Sequence, residues 1–382
     1  DLRHATMHTK RILILGGYGN FGKRIAENLG SQENLTLIIA GRDVAQSHEL
    51  CTLLGHQSRA NLEPIQLDSA SPDFARQLSS LAVDVVINCV RPFQTQDYSV
   101  PSACISCQCH YIDLADDRNF VCNFHSLNNQ AKANNVLAVS GASTVPGLSS
   151  VVVDHYLNEF KSLEEIDFAI APGNKAERGL ATVAGILSAV GHAYPVLSNG
   201  KWADAYGWMS PRKWDFGAVV GQRWLANINI PDLELFPKRY PDVTAVNFQA
   251  GLELTLLHWT MVAMAATAKI GLIKNWRYFS KPIFNAGEWF RRFGSDDGGM
   301  QIRMRSTDHN NIRQEIRWLL TAENGIGPCI PTLAAVILTR KLVADRIAFR
   351  GATPCLGMFP MADFDQEARN LAITHETQIR RG

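Results

Sequence analysis

The hydrophobic pattern of the chain changes rhythm once. Up to about residue 150, short apolar runs alternate with stretches whose apolar residues recur every three or four positions. The runs 12–15, 35–40, 62–67, 84–90, 111–114 and 136–139 predict buried strands. Between them, 44–54, 72–81, 98–107 and 120–134 predict helices, with Ser71 placed to cap the second. Strands alternating with helices form right-handed βαβ units and a parallel sheet. Beyond residue 150 the pattern becomes one of paired strands. Residues 163–171 alternate apolar and polar, 178–192 read as a helix, and 194–197 and 201–205 flank Ser198-Asn199-Gly200, an Asn-Gly hairpin signal. Residues 244–248 predict a further strand, and 300–306 and 311–321 form a second hairpin around Asp308-His309-Asn310. This part predicts an α+β domain on a mixed or antiparallel sheet with one wet face.

The first run leads into Gly17-Tyr18-Gly19-Asn20-Phe21-Gly22, a G-x-G-x-x-G followed by a helical spacing at Phe21, Ile25 and Leu29. Gly17 permits the tight turn, Gly19 lets a pyrophosphate approach the backbone, and Gly22 lets helix pack on strand. The phosphates then lie on free N–H groups at a helix N-terminus. The plainer reading is a glycine-rich turn without a ligand; the position between strand and helix favours a dinucleotide. The fold class is therefore α/β, a Rossmann-type doubly wound parallel sheet with an inserted α+β second domain.

The second strand ends in Gly41-Arg42-Asp43, with Arg42 20 residues after Gly22. An Asp or Glu here would bond a ribose hydroxyl; an Arg accommodates a 2′-phosphate, so NADP is expected over NAD. Asp43 would serve the ribose if the loop shifted by one residue, and Arg42 as a solvated surface residue is the plainer alternative. Asp68, ending the third strand, is a candidate adenine contact. Ligands of such sheets bind beyond the carboxyl ends of the strands. That gathers residues 16–21, Arg42, Asp68, 88–92, 115–117 and 140–147 around one crevice, and adds Asn88, Cys89, Val90 and Pro92 to the cofactor-binding candidates.

Length and charge narrow the picture. A chain of 382 residues exceeds one typical domain. At 46% apolar and 19% charged residues it can bury a sizeable core. A net charge of +1, without long runs of one sign, argues against nucleic acid as a partner. Eight scattered cysteines and no secretion signal predict a reduced, cytoplasmic protein. Residues 1–6, before Met7, carry no pattern and are set aside. Cys104, Cys107, Cys109 and His110 suggest zinc, but no second ligand pair stands at finger-like spacing. Small thiols packed under a sheet are the expectation, with no metal. Neither G-x-S-x-G nor H-E-x-x-H occurs.

The order of GGYGNFG, AGRD, VINCVRPF, the Ala103-Cys104 pair, HYIDLADD and GASTVPGLSS resembles the saccharopine dehydrogenase family, in its glutamate-forming, saccharopine reductase-like branch. The resemblance covers residues 8–155 well, and 178–187 and the tail from 327 more loosely. It implies a Rossmann domain over 7–150, an α+β substrate and dimerisation domain over 151–330, and C-terminal helices over 331–382 returning to the first domain. It also implies NAD(P)-linked hydride transfer to or from a carbon bearing a secondary amine, and a homodimer through the second domain's sheet.

Residues for the chemistry are less defined. Asp116 and Asp117 lie beyond a strand end near the expected nicotinamide, where a carboxylate stabilises an iminium or relays a proton; a helix cap is the alternative. Tyr98 is a candidate proton donor or a helix–sheet packing residue. Arg178 is a candidate clamp for a substrate carboxylate, or an exposed ion-pair partner. Saccharopine carries several carboxylates, and Arg212, Lys213, Arg223 and Arg239 are available but scattered. Four of the eight tryptophans fall between Trp202 and Trp224, as sheet core and interface or as a wall for a large apolar substrate.

The stretch between Leu252 and Ile273 is apolar, with His258 the only ionisable residue between Glu253 and Lys269. It is shorter than the roughly 20 residues of a bilayer span. A buried helix is one reading. The other is peripheral membrane contact, since Lys269, Lys274, Arg277, Lys281 and Trp289-Phe290-Arg291-Arg292-Phe293 follow. Three functions are compatible: an NADP-dependent oxidoreductase acting on an amino-acid-derived imine or secondary amine, a reductase of an enoyl or lipid-linked substrate, and a non-catalytic NADP-binding sensor or scaffold.

Overall fold

A computed structural model describes residues 9–382; residues 1–6, set aside above, lie outside the described residues. The chain divides into two compact units. The first holds residues up to Asp116 together with Asn123–Gly147 and Pro331–Met358; the second holds Asp117–Cys122, Leu148–Ile330 and Phe359–Gly382. Where a single tail over 331–382 is expected to return as helices, the chain splits it between the units. Each part contributes a strand.

In the first unit, β1 (Lys10–Leu15), β2 (Leu35–Gly41), β3 (Asn61–Gln66), β4 (Val85–Asn88), β5 (His110–Asp113) and β6 (Leu137–Ser140) are joined by strand Gly351–Pro354 in one seven-stranded sheet. All neighbours are parallel, and the order is Gly351–Pro354, β6, β5, β4, β1, β2, β3. Every residue of β2 is buried, as expected of a strand covered on both faces. Pro64 sits in β3 at the sheet edge, where a missing N–H is tolerated. The sheet order reverses between β1 and β4, so the crevice at their carboxyl ends is the place where such sheets hold ligands. Helix Ile330–Val343 returns to this unit, and its Arg340 bonds Asn28 and Gln32 at the end of the first helix.

Local differences from the expected elements have local causes. The helix expected over 72–81 starts at Phe74, with Ser71 Oγ accepting from the Asp73 N–H in the turn before it rather than capping it. The helix expected over 120–134 is three pieces, Arg118–Cys122, Phe124–Leu127 and Asn128–Ala133. It breaks at Asn123, whose residue type competes with the helical backbone for hydrogen bonds.

The second unit is built on a mixed seven-stranded sheet. Its order is Arg212–Asp215, Gln222–Asn227, Ala245–Ala250, Ser162–Ala171, Gly298–Thr307, Arg313–Ala322 and Ile373–Arg381. Ala245–Ala250 runs parallel to Ser162–Ala171; the other neighbours are antiparallel. The core below it holds Phe168, Phe236, Ile302, Ile316, Trp318 and Phe364. The hairpin Ala193–Ser198 with Lys201–Tyr206 forms as expected, with Asn199 and Gly200 both at positive φ, 50° and 73°, the conformation of a tight Asn-Gly turn.

Candidate functional site

The glycine loop begins where β1 ends. The Gly17 N–H donates to Ala40 O, and the Gly19 N–H to Gly16 O. A Cβ on Gly22 would stand 2.2 Å from Gly16 O, and one on Gly17 would stand 2.8 Å from Ile39 Cγ2, so both glycines are demanded by the chain's own packing. Gly19 differs. Its backbone is extended, at φ −70° and ψ 175°, and an added Cβ would meet only Gly16 O, at 3.1 Å. Apart from that one tight contact its surroundings are open, which leaves room for a group approaching from outside the protein. Helix Asn20–Leu29 follows with no side-chain cap and no acidic residue in its first turn, which leaves its dipole directed at an anion. These residues fit a pyrophosphate.

Tyr18 turns back to the second strand. A Cβ on Gly41 would fall inside the Tyr18 ring, 2.1 Å from Cε1, and Tyr18 Oη accepts from the Asp43 N–H at 3.1 Å. The turn after β2 is thereby tied to the glycine loop. The Asp43 carboxylate is committed to the next helix, Val44–Gly55. It accepts from the Ala45 N–H at 2.9 Å and from Gln46 Nε2 at 3.0 Å, and these bonds hold its pKa below the usual carboxylate value. Arg42 is exposed beside it. Its carbonyl accepts from Gln66 Nε2, and its guanidinium makes no ion pair among the described residues. Of the two residues weighed for the ribose end, Arg42 is the one whose side chain is available. Asp68, the expected adenine contact, is exposed and accepts from the Ala70 N–H.

At the end of β4, Asn88 is buried and supports the loop itself. It donates to Tyr111 Oη at 3.1 Å and accepts from the Val90 N–H at 3.0 Å. Burial pushes the Cys89 thiol up to about 12, so it remains a thiol at neutral pH. Arg91 precedes Pro92, inside the crevice range 88–92 but not among the named cofactor candidates. Its Nη1 pairs with Asp116 Oδ2 at 2.9 Å, its Nη2 donates to Leu114 O at 3.2 Å, and its guanidinium stacks 4.8 Å from the centroid of Phe21. One side chain thus joins the glycine loop, the end of β4 and the end of β5. The Asp116 Oδ1 and Arg91 Nε atoms are buried without a hydrogen-bond partner among the described residues, and orphaned buried polar atoms of this kind mark a place for a ligand or water.

Asp113, in the HYIDL run, holds that strand end in place. Its carboxylate accepts from the Ala115 and Gly141 N–H groups, Ser140 Oγ and Tyr111 Oη. Burial dominates its ionisation and pushes the pKa up to about 6. The signal for both residues was a charged side chain at the end of an otherwise apolar strand. Tyr98 packs edge-on against Phe124, their centroids 5.6 Å apart. Asp117, in the second unit, accepts from the Phe120 N–H and begins a short helix.

The remaining candidates of the second unit do not gather. The helix expected over 178–192 is Leu180–Ala189, so Arg178 lies in the turn before it. Burial holds its pKa below the usual arginine value, and its contacts to Gly173 O and to both Asn174 oxygens are long, 3.4–3.5 Å. Arg212 makes a two-pronged pair with Asp167, each distance 2.8 Å; Arg223 pairs with Glu253, and Arg239 with Asp154. Lys213 stands over Trp224. Trp208 is buried, Trp214 is stacked by Arg212 and Arg303, and Trp202 is exposed on the hairpin, so the four tryptophans make no single wall. Among the described residues no group of three His, Cys, Asp or Glu is placed to hold a metal. His110 Nδ1 instead accepts from the Leu137 N–H.

Residues 12–140 match the family described as the saccharopine dehydrogenase NADP binding domain. No curated protein matches the chain. Among solved structures, the apo histidine-tagged saccharopine dehydrogenase (L-Glu forming) of Saccharomyces cerevisiae is similar over 97% of this chain and 100% of its own, with TM-score 0.69 and 12% identity. A probable dehydrogenase of Thermotoga maritima aligns over 94% and 93% with TM-score 0.45 and 9% identity. Residues 12–140 therefore form an NADP binding domain of the saccharopine dehydrogenase type, and the whole chain shares the fold of the yeast enzyme.

Proposed function

We propose that this NAD(P)-dependent oxidoreductase uses NADP(H), and transfers hydride to or from the imine or secondary-amine carbon of an amino-acid-derived substrate. One observation carries the cofactor preference. Arg42 presents a guanidinium that makes no ion pair among the described residues, while Asp43, the residue that would favour NAD, is spent on a helix cap. The nicotinamide supplies the hydride when bound; the chain supplies placement and charge. Asp116, one oxygen held by Arg91 and the other without a partner among the described residues, is a positioned carboxylate suited to a protonated imine.

Parallel fluorescence titration of NADPH and NADH tests this. NADPH should bind more tightly, and Arg42→Ala should weaken it about 10- to 100-fold, the loss of charge-assisted bonds worth roughly 1.5–3 kcal/mol. NADH affinity should stay the same. Equal affinities in the wild type would remove the preference.

A second reading, reduction of an enoyl or lipid-linked substrate, is favoured by the commitment of Arg212, Arg223 and Arg239 to carboxylates of the protein. A substrate with several carboxylates finds none of the three free. NADPH consumption with imino acids and with enoyl esters, measured side by side, separates the two.

A further inference from the structure

The apolar stretch between Leu252 and Ile273 forms helix Thr255–Lys269. At 15 residues it is about 22 Å long, short of a bilayer's hydrocarbon core of roughly 30 Å. No helix among the described residues is long and apolar enough to cross a membrane. One face of the helix, His258, Met261, Ala265 and Ala268, is buried against Leu187, Val190, Trp208 and Ala226. The opposite face should then be polar, and it is not. Leu256, Trp259 and Ile270 lie exposed on it. Exposed apolar side chains recur along the following chain, at Leu272, Tyr278 and Phe279 before helix Ser280–Phe290 and at Trp289 and Phe293 around its end. Ile270, Leu272 and Tyr278 are 77%, 73% and 83% exposed, among the most open large apolar side chains of the chain.

Charge on this surface is one-sided. Residues 255–293 carry Lys269, Lys274, Arg277, Lys281, Arg291 and Arg292 against a single carboxylate, Glu288, in a chain of net charge +1. Glu288 is taken by Arg291. Lys274 and Lys281 are exposed and pair with no acid among the described residues. Arg292 lies 4.0 Å over the ring of Trp289 and 5.1 Å over that of Phe293. Exposed aromatics interleaved with cations suit a water–lipid boundary, where rings enter the headgroup layer and cations meet phosphates. A second copy of the chain is a poor occupant. A two-fold contact sets a patch against itself, and this one would oppose a net charge of +5 with another.

We propose that residues 255–293 form a docking surface for an anionic lipid membrane, which the protein binds from one side without spanning. The apolar side chains enter the interface, and Lys274, Lys281 and their basic neighbours supply an electrostatic attraction that salt weakens. The proposal does not depend on the cofactor assignment.

The test is co-sedimentation of the full chain with vesicles of phosphatidylcholine alone and of phosphatidylcholine with phosphatidylglycerol. Binding is expected to the anionic vesicles at low salt and to fall as salt rises. Tyr278→Ser with Trp289→Ser, and separately Lys274→Glu with Lys281→Glu, should each weaken it at least about tenfold. All four side chains are exposed, and NADPH affinity measured on the same samples should not change. Failure of the wild type to bind anionic vesicles overturns the proposal. So does binding indifferent to both lipid charge and the lysine pair. Concentration-dependent self-association lost in the Tyr278/Trp289 variant would assign the face to a second copy instead.

Discussion

Arg91 Nη1 stands 2.9 Å from Asp116 Oδ2, a pair formed between the loops after β4 and β5. The same guanidinium covers the ring of Phe21, so the distance fixes the glycine loop relative to a carboxylate at the far side of the crevice. Arg91 is largely covered, and a pair of this kind is worth more than an exposed one. Arg91→Ala should therefore weaken NADPH binding about tenfold or more, equivalent to at least about 1.4 kcal/mol. Arg91→Lys should recover little, because one ammonium cannot hold Asp116, Leu114 O and the Phe21 face together. Fluorescence titration checks both. Unchanged affinity in Arg91→Ala would show that the loops hold their places without it.

The three glycines of the motif should fail in different ways. In Gly22→Ala the new methyl meets backbone at 2.2 Å, so the loop must shift, with a loss of about 1–3 kcal/mol in stability and of cofactor binding together. In Gly19→Ala the backbone angles suit alanine, so melting temperature should move little. NADPH affinity should nevertheless fall by tenfold or more, because the methyl stands on the side from which the pyrophosphate approaches. Thermal melts with and without NADPH distinguish the two. A Gly19→Ala protein that still gained full thermal protection from NADPH would count against a dinucleotide at this loop.

The parts of this molecule that could be read from the chain are those fixed by neighbours in sequence. Gly17 to Gly22, Arg42 at the end of the next strand and the Asn199-Gly200 turn follow from local spacing and backbone conformation. Arg91 and Asp116 are 25 residues apart and meet only because β4 and β5 are adjacent in the sheet, which no local pattern states. The parallel pairing of Ala245–Ala250 with Ser162–Ala171 is likewise set by distant contacts. The apolar character of Thr255–Lys269 was visible; which of its faces met a core was not, since both are apolar. Arg212, Arg223 and Arg239 read as available cations until their partners Asp167, Glu253 and Asp154 were placed beside them.

The second unit's fold should hold Arg212 in place even without substrate. Its two-pronged contact with Asp167 is supported by Asn247 and Gln249, which bond Asp167 and Arg212 respectively. Asp167→Asn should lower the melting temperature by several degrees, the loss of about 1–2 kcal/mol from a half-buried pair, and leave NADPH affinity unchanged. If instead Asp167→Asn improved turnover of a carboxylate substrate, Arg212 would be a substrate residue held in reserve.

His258 gives the sharpest pH prediction. It is fully buried on the inner face of Thr255–Lys269, its ring 5.2 Å from that of Trp208, and neither ring nitrogen has a hydrogen-bond partner among the described residues. Burial lowers its pKa from 6.5 to about 4. The folded state thus refuses a proton that the unfolded chain accepts below its own pKa of 6.5. Stability from this site is complete above that value and is lost progressively as pH falls toward 4. At pH 5 the loss is about 2 kcal/mol, at 1.36 kcal/mol per unit. His110, lowered to about 4 as well, acts in the same direction. Asp113 and Asp232 act in the opposite one, since burial raises them to about 6 and about 7, and a raised carboxyl favours the fold as pH falls. The wild-type profile therefore mixes signs, and the informative quantity is a difference. His258→Leu removes the ring and two unsatisfied polar atoms, so at pH 7.5 it should melt close to the wild type. By pH 5 the variant should be the more stable by about 2 kcal/mol. Denaturant melts of both proteins at the two pH values measure this, and parallel losses would show that the ring is solvated or paired in solution.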